Sequence, residues 1–270
     1  MPTRERNGEK TWQPHTPLRN ALVFTAWVAA AALVIWCWNI ISAQTMWMFV
    51  LDAPRQAGDL FDRMLPPRWA YTAELLMPLW DTVNIATIGT LLAIVLAVPV
   101  ALLAARTTSP HPVFRALALF IIVASRSIHS LVWALFLVYV IGPGVFAGII
   151  AIALRSVGFI AKLLNEAIEE TDRAQIEAIR ATGAAGGETL VYGIVPQVMP
   201  AFAGITVFRW DINIREATFL GLVGAGGVGL QLNSSISTLR WADASVILVA
   251  IFLLVLLSEW VSARVRSTIG

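Results

Sequence analysis

Six stretches of this chain are long and apolar enough to cross a lipid bilayer, at about residues 21–41, 82–105, 115–141, 145–164, 198–222 and 243–263. A helix needs about 20 mostly apolar residues to cover the hydrocarbon core. The expected fold is therefore an all-α integral membrane protein with six transmembrane helices. Composition agrees: 58% of residues are hydrophobic and 13% are charged, against about 25% charged in a soluble domain. Several of the 11 Trp sit near the ends of apolar runs, and Trp47, Trp69, Trp80, Trp241 and Trp260 fit an interfacial belt. A formal net charge of +2 is too small to argue for nucleic acid, and the single Cys37 forms no intrachain disulfide. The sequence shows no internal repeat, long linker or low-complexity tract, so residues 21–270 read as one membrane domain behind an N-terminal segment 1–20.

That segment carries Arg4, Arg6, Lys10 and Arg19 ahead of the first apolar run, a pattern that resembles a signal peptide. A signal core is about 7–15 residues long, however, and this run is longer, so a retained first helix is expected. Lys and Arg in short loops set orientation. With the N-terminus inside, the inner segments hold Arg4, Arg6, Lys10, Arg19, Arg106, Arg115, Lys162, Arg173, Arg180, Arg264 and Arg266. The outer loops then hold Arg55, Arg63, Arg68 and Arg240. The asymmetry predicts N-in and C-in, a cytoplasmic loop over 165–197, and an outer loop over 42–81.

The 165–197 loop has internal order. Thr171 or Asp172 can cap a helix, with Gln175 as the capping-box partner of Asp172. Residues 173–182 are good helix formers, Ile176 and Ile179 share a face, and Gly183 can stop the helix in the left-handed region. Pro196 and Pro200 mark the start of the next span. A short surface helix with a small apolar face and a charged flank suits a groove on another protein, although a plain solvated connector has the same composition.

Within the spans, Arg126 and Arg155 interrupt apolar runs. A central charge costs about 2.5–3.5 kcal/mol on insertion scales and marks a bundle interior or a water-filled path. Guanidinium groups bind phosphate-like oxygens bidentately, so an anion route is one reading and pairing with carbonyls is the other. Arg209, Asp211, Arg215 and Glu216 form a mixed cluster in the fifth span. Mutual neutralisation, including the Asp211–Arg215 pair at i,i+4, competes with a broken helix lining a cavity. Gly221, Gly224, Gly226, Gly227 and Gly229 then crowd nine positions and read as close packing or a flexible turn. His15, His111 and His129 make no zinc-type set, and His129 alone reads as packed or paired. Gly8-Glu9-Lys10-Thr11 is only a fragment of a Walker A motif. No nucleotide site, catalytic residue, metal motif or cofactor is expected in this chain, so any pumping energy must arrive from outside.

The order of residues in the loop resembles the inner-membrane permease subunits of binding-protein-dependent ABC importers, whose signature is Glu-Ala-Ala, three residues, Gly, nine residues, then Ile-x-Leu-Pro. Glu177, Ala178, Gly183 and Pro196 match in register, while Ile179, Gly193 and Val195 depart from it. Residues 124–128, 131–135, 158–163, 166–170, 212–215 and 219–229 are similar to the phosphonate-type branch, over roughly 80–265. Where those relatives commonly carry Pro after Arg-Ser-Ile, this chain has His129. The resemblance implies a type I ABC importer permease fold and a bacterial cytoplasmic membrane. It implies a homodimer, two soluble ATPase subunits that hold the ATP and Mg, and an extracytoplasmic substrate-binding protein. The implied cargo is phosphonate or a related oxyanion such as phosphate or phosphite. Glu177, Ala178, Arg180, Ala181, Gly183 and Pro196 would form the ATPase-coupling element. Arg126, His129, Arg155, Arg209 and Arg215 would line the substrate pathway, and the five glycines would form an outer gate. An ATP-independent anion transporter or channel, or a membrane scaffold for an enzyme complex, are the other classes open to such a sequence.

Overall fold

A computed structural model describes residues 3–6, 9–12 and 17–269. Gly8 of the Walker-like fragment and His15 lie outside the described residues. Backbone contacts divide the chain into two units, Met1–Leu60 and Phe61–Gly270.

The first unit opens with an antiparallel hairpin of β1 (Thr3–Arg6) and β2 (Glu9–Trp12). Next comes α1 (Pro17–Gln44), which matches the expected first span and is extended at both ends. Its apolar side chains, among them Trp27, Trp36 and Trp38, are exposed, as befits a helix that is hydrophobic all round and solvated by lipid. The following helix, α2 (Trp47–Met64), falls where an outer loop was expected. Its pattern explains it. Phe49, Val50, Ala53, Ala57, Leu60 and Phe61 recur at helical spacing, with Asp52, Arg55, Asp59 and Asp62 opposite.

The second unit is a helical bundle. After a 3-10 turn, Trp69–Tyr71, α3 (Thr72–Ala104) begins ten residues before the expected 82, because Glu74 and Asp81 lie in the helix rather than in the loop. The chain continues through α4 (Pro112–Ser127), α5 (Ser130–Ile141) and α6 (Val145–Glu169). The third expected span, 115–141, is not one straight rod: α4 and α5 meet at 88°. The loop then forms α7 (Arg173–Ala181), α8 (Gly186–Thr189) and a π-helical turn, Leu190–Ile194. From there α9 (Val195–Leu220) leads into a 3-10 turn, Gly221–Val223. The bundle closes with α10 (Val228–Ser237) and α11 (Trp241–Ile269). Among the described residues, five helices are long and apolar enough to span, with a sixth span if the bent α4–α5 pair is counted as one.

Small side chains hold this bundle together. Ala86, Gly89, Ala93, Ala97, Ala101 and Ala104 recur every three or four residues and are buried along α3. They face α6, whose buried positions include Ala147, Gly148, Ala151, Gly158 and Ala161. In lipid, helices associate through van der Waals contact rather than water exclusion, so seams of small residues allow the backbones to approach. On its other side α6 comes close to α4: at Gly158 a Cβ would lie 2.7 Å from the carbonyl oxygen of Ile122.

Candidate functional site

Two polar regions stand out in the second unit, one at the surface and one inside.

The surface region is α7 with its flanking turns. Asp172 is the N-cap: its Oδ1 accepts the N–H of Ala174 at 2.9 Å. Thr171, the other candidate cap, instead donates to the carbonyl of Ile168 at 2.7 Å, at the end of α6. The expected reciprocal partner, Gln175, gives way to Gln197, whose Oε1 accepts the Asp172 N–H at 2.9 Å. Gln197 Nε2 also donates to the carbonyl of Gly193 at 2.7 Å. One side chain on the first turn of α9 thus ties the start of α7 to the π turn. Gln197 drew no notice in the sequence because its partners are 25 residues upstream and four residues upstream, and neither spacing is a capping box.

Gly183 ends the helix with φ +88°, the left-handed conformation that costs a residue with a Cβ. Ile176 is buried and Ile179 half-buried. Both face Gly193, where a Cβ would lie 3.3 Å from Ile179 Cδ1 and 3.7 Å from Ile176 Cγ1. Gly193, a departure from the family signature, is therefore where the apolar face of α7 rests. Pro196 sits in the first turn of α9, where a missing N–H breaks no helical bond. With the isoleucines turned inward, Glu177, Ala178, Arg180 and Ala181 are exposed. Clefts flank the helix on two sides. One of about 320 Å³ is lined by Arg106, Thr107, Arg173, Glu177 and Arg180. The other, of about 390 Å³, is lined by Thr182, Gly183, Ala184, Glu188 and Tyr192. A ridge of small and charged side chains thus stands between two hollows.

The inner region joins α3, α6, α9 and α11. Arg209 is buried, with Nη2 3.2 Å from Glu216 Oε1 and Nε donating to Ser156 Oγ at 3.0 Å. Its guanidinium also lies over the Phe159 ring, 5.1 Å from the centroid. Ser156 Oγ donates to Asn213 Oδ1 at 3.1 Å, and Asn213 Nδ2 donates to Thr90 Oγ1 at 2.7 Å. Arg215 pairs with Asp211 one turn away, as the i,i+4 spacing predicts, and Ser258 Oγ donates to the other Asp211 oxygen at 2.8 Å. Helix α9 runs unbroken through this cluster, so the neutralising reading of its charges holds and the break in the bundle lies elsewhere, between α4 and α5.

Arg155 connects the cluster to that break. Its Nη1 donates to the carbonyls of Arg126 and Ile128, at 3.3 and 3.1 Å, and its Nε stands 3.7 Å from Glu216 Oε1. The first two bonds satisfy carbonyls that the end of α4 leaves without helical partners. His129 caps the other side of the break, its Nδ1 accepting the N–H of Leu131 at 3.2 Å. The bend is therefore made without proline, by a histidine N-cap and an arginine from α6. Arg126 and His129 themselves are exposed; Arg155 and Arg209 are brought together at Glu216, while Arg215 pairs separately with Asp211.

The glycine run folds as a tight turn against the opposite end of the bundle from α7. Gly224, Gly226 and Gly227 have positive φ, Gly221 lies in the 3-10 turn, and Gly229 in the first turn of α10. The turn is locked from two sides. Thr82 Oγ1 on α3 accepts the Val228 N–H at 2.9 Å, and the Gly144 N–H donates to Gly224 O at 3.0 Å. At Gly229 a Cβ would overlap the carbonyl oxygen of Thr218.

Comparison with known proteins follows the same geography. The family described as binding-protein-dependent transport system inner membrane component matches residues 97–267, which include the α4–α5 break, α7 and the charged residues of the inner cluster. The phosphite transport system permease protein PtxC of Stutzerimonas stutzeri is 33% identical over 241 residues, covering 88% of this chain and 86% of that protein. The phosphate-import permease protein PhnE of Mycolicibacterium smegmatis is 40% identical over 209 residues, which are 77% of this chain and 39% of the longer relative. In fold, the MetNI methionine ABC transporter superposes with a TM-score of 0.63 at 22% identity, over 75% of this chain and 99% of the other. The chain therefore belongs to the binding-protein-dependent transport system inner membrane components, the multi-pass permease subunits of bacterial ABC importers.

Proposed function

We propose that the chain is the permease of an importer for a small phosphorus oxyanion, in the class of phosphite, phosphate or phosphonate. Support comes from the names of its relatives, phosphite and phosphate permeases among them, and from arginines in its spans, a residue type suited to such anions. N- and C-termini inside would place α7 in the cytoplasm, in line with the Lys and Arg distribution. Two copies would enclose the route, two ATPase subunits carrying ATP and Mg would grip the two α7 helices, and a binding protein would deliver the anion from outside. Glu177 and Arg180 would make polar contacts to the ATPase, and Ala178 and Ala181 would allow close approach. ATP binding would draw the α7 helices together and open the permease outward, and hydrolysis would reset it. Each nucleotide state must favour one conformation, since equal affinity shifts nothing. Arg155, Arg209 and Arg215 would border the anion path, with Arg126 and His129 at the bend, and the glycine turn would form the outer gate.

The observation that carries this reading is the folded α7: its apolar face rests on Gly193 of the π turn that leads into α9, and its Glu177–Ala181 face is left open. The test is oxyanion uptake into proteoliposomes holding the permease, its ATPase and its binding protein. Uptake is expected only with ATP and all three components. Uptake at full rate without ATP would overturn it.

A further inference from the structure

Glu216 is bonded less completely than its burial demands. One oxygen, Oε1, faces both Arg209 Nη2 and Arg155 Nε, at 3.2 and 3.7 Å. The other, Oε2, is buried and has no partner, and Arg155 Nε makes no hydrogen bond either. A buried carboxylate that served only to hold two arginines would be expected to use both oxygens, because an unsatisfied charged group is costly in a low-dielectric site. Two guanidiniums against one carboxylate also leave a local excess of one positive charge. The cluster is not sealed: the Arg155 side chain is 26% exposed and that of Glu216 14%. Arg155 and Arg209 come from different helices, α6 and α9, so their fork can widen without breaking either helix.

We propose that Glu216 is an internal placeholder for the transported oxyanion. With no anion in the path, its carboxylate occupies the Arg155–Arg209 fork. A carboxylate and a phosphorus oxyanion present similar oxygen pairs to guanidinium, so the arriving anion takes the fork and Glu216 swings aside. When the path opens to the other side, Glu216 returns and competes the anion off. Release thus needs no weakening of the arginines, and two intramembrane arginines do not become a trap. Because Arg155 also holds the carbonyls of Arg126 and Ile128, exchange of partners at the fork is felt at the α4–α5 break. This inference rests on the oxyanion reading above.

The test uses the assembled permease–ATPase complex in nanodiscs without binding protein. Equilibrium binding of inorganic phosphate, phosphite and methylphosphonate is measured for the wild type, Glu216→Gln and the Arg155→Gln/Glu216→Gln double variant. Removing the competitor should tighten binding of at least one anion by about 5- to 150-fold, the usual range for coupled sites. In the full transporter the same variant should turn over more slowly. The double variant, whose local charge equals that of the wild type, should lose the gain. Glu216→Asp, still charged but one methylene shorter, should shift affinity in the same direction by a smaller factor. Unchanged affinity for all three anions in Glu216→Gln and Glu216→Asp complexes that assemble and hydrolyse ATP overturns the placeholder. Should the wild type show no ATP-driven uptake of any of the three, the oxyanion reading itself fails instead.

Discussion

The surface helix α7 and the inner arginine cluster are both islands of charge in an apolar chain, yet they are built by opposite rules. In α7 the bonds that form the helix are local: Asp172 caps it and Gly183 stops it, so its charges are free to face outward. In the cluster the bonds run between elements: Arg209 to Ser156, Asn213 to Thr90 and Asp211 to Ser258 join residues 47 to 123 positions apart. One region is an exposed ridge, and the other is bonded across helices around an incompletely used carboxylate. Burial and the reach of the bonds, rather than charge content, separate the two regions.

This contrast breaks first at Arg209. Replacing it with Met should leave Glu216 buried without its nearest cation and destabilise the permease by about 3–5 kcal/mol. Thermal unfolding in detergent reads the loss, and adding Glu216→Leu should recover most of it. A variant as stable as the wild type would mean that the Arg209–Glu216 pair does not hold the helices together. At the surface the expected effect on stability is smaller and that on function larger. Gln197→Leu removes two hydrogen bonds, each contributing about 0.5–1.5 kcal/mol. It should leave a folded complex that hydrolyses ATP but moves several-fold less substrate per ATP, because α7 is no longer tied to the π turn and α9. Parallel loss of hydrolysis and transport would make Gln197 a packing residue only.

The same division decides what was legible from sequence. Spans are local runs, so five appear at about the expected places and the third appears as the bent α4–α5 pair, and α7 was readable from its cap, its isoleucines and Gly183. The α4–α5 break was not: Arg126-Ser127-Ile128-His129 contains neither Pro nor Gly, and the signal was the capping capacity of His129, visible only once a break is suspected. Helix α2 was hidden by its acidic residues, which were assigned to a loop although the apolar positions between them keep a helical period. Arg155 looked like either a pathway residue or a carbonyl partner, and the structure gives it carbonyl bonds together with the Glu216 contact. The roles of Gln197 and Ser258 depend on pairings across elements, for which sequence spacing carries no signal.

The central claim is that driving force enters through the exposed face of α7. In a Cys37→Ser background, a cysteine at Ala181 should cross-link to the ATPase subunit of the assembled transporter, with a yield that changes between nucleotide-free and ATP-bound states. A cysteine at exposed Leu239, beyond the glycine turn, should give none. Cross-linking from Leu239, or none from Ala181 in a complex that still transports, would contradict the account.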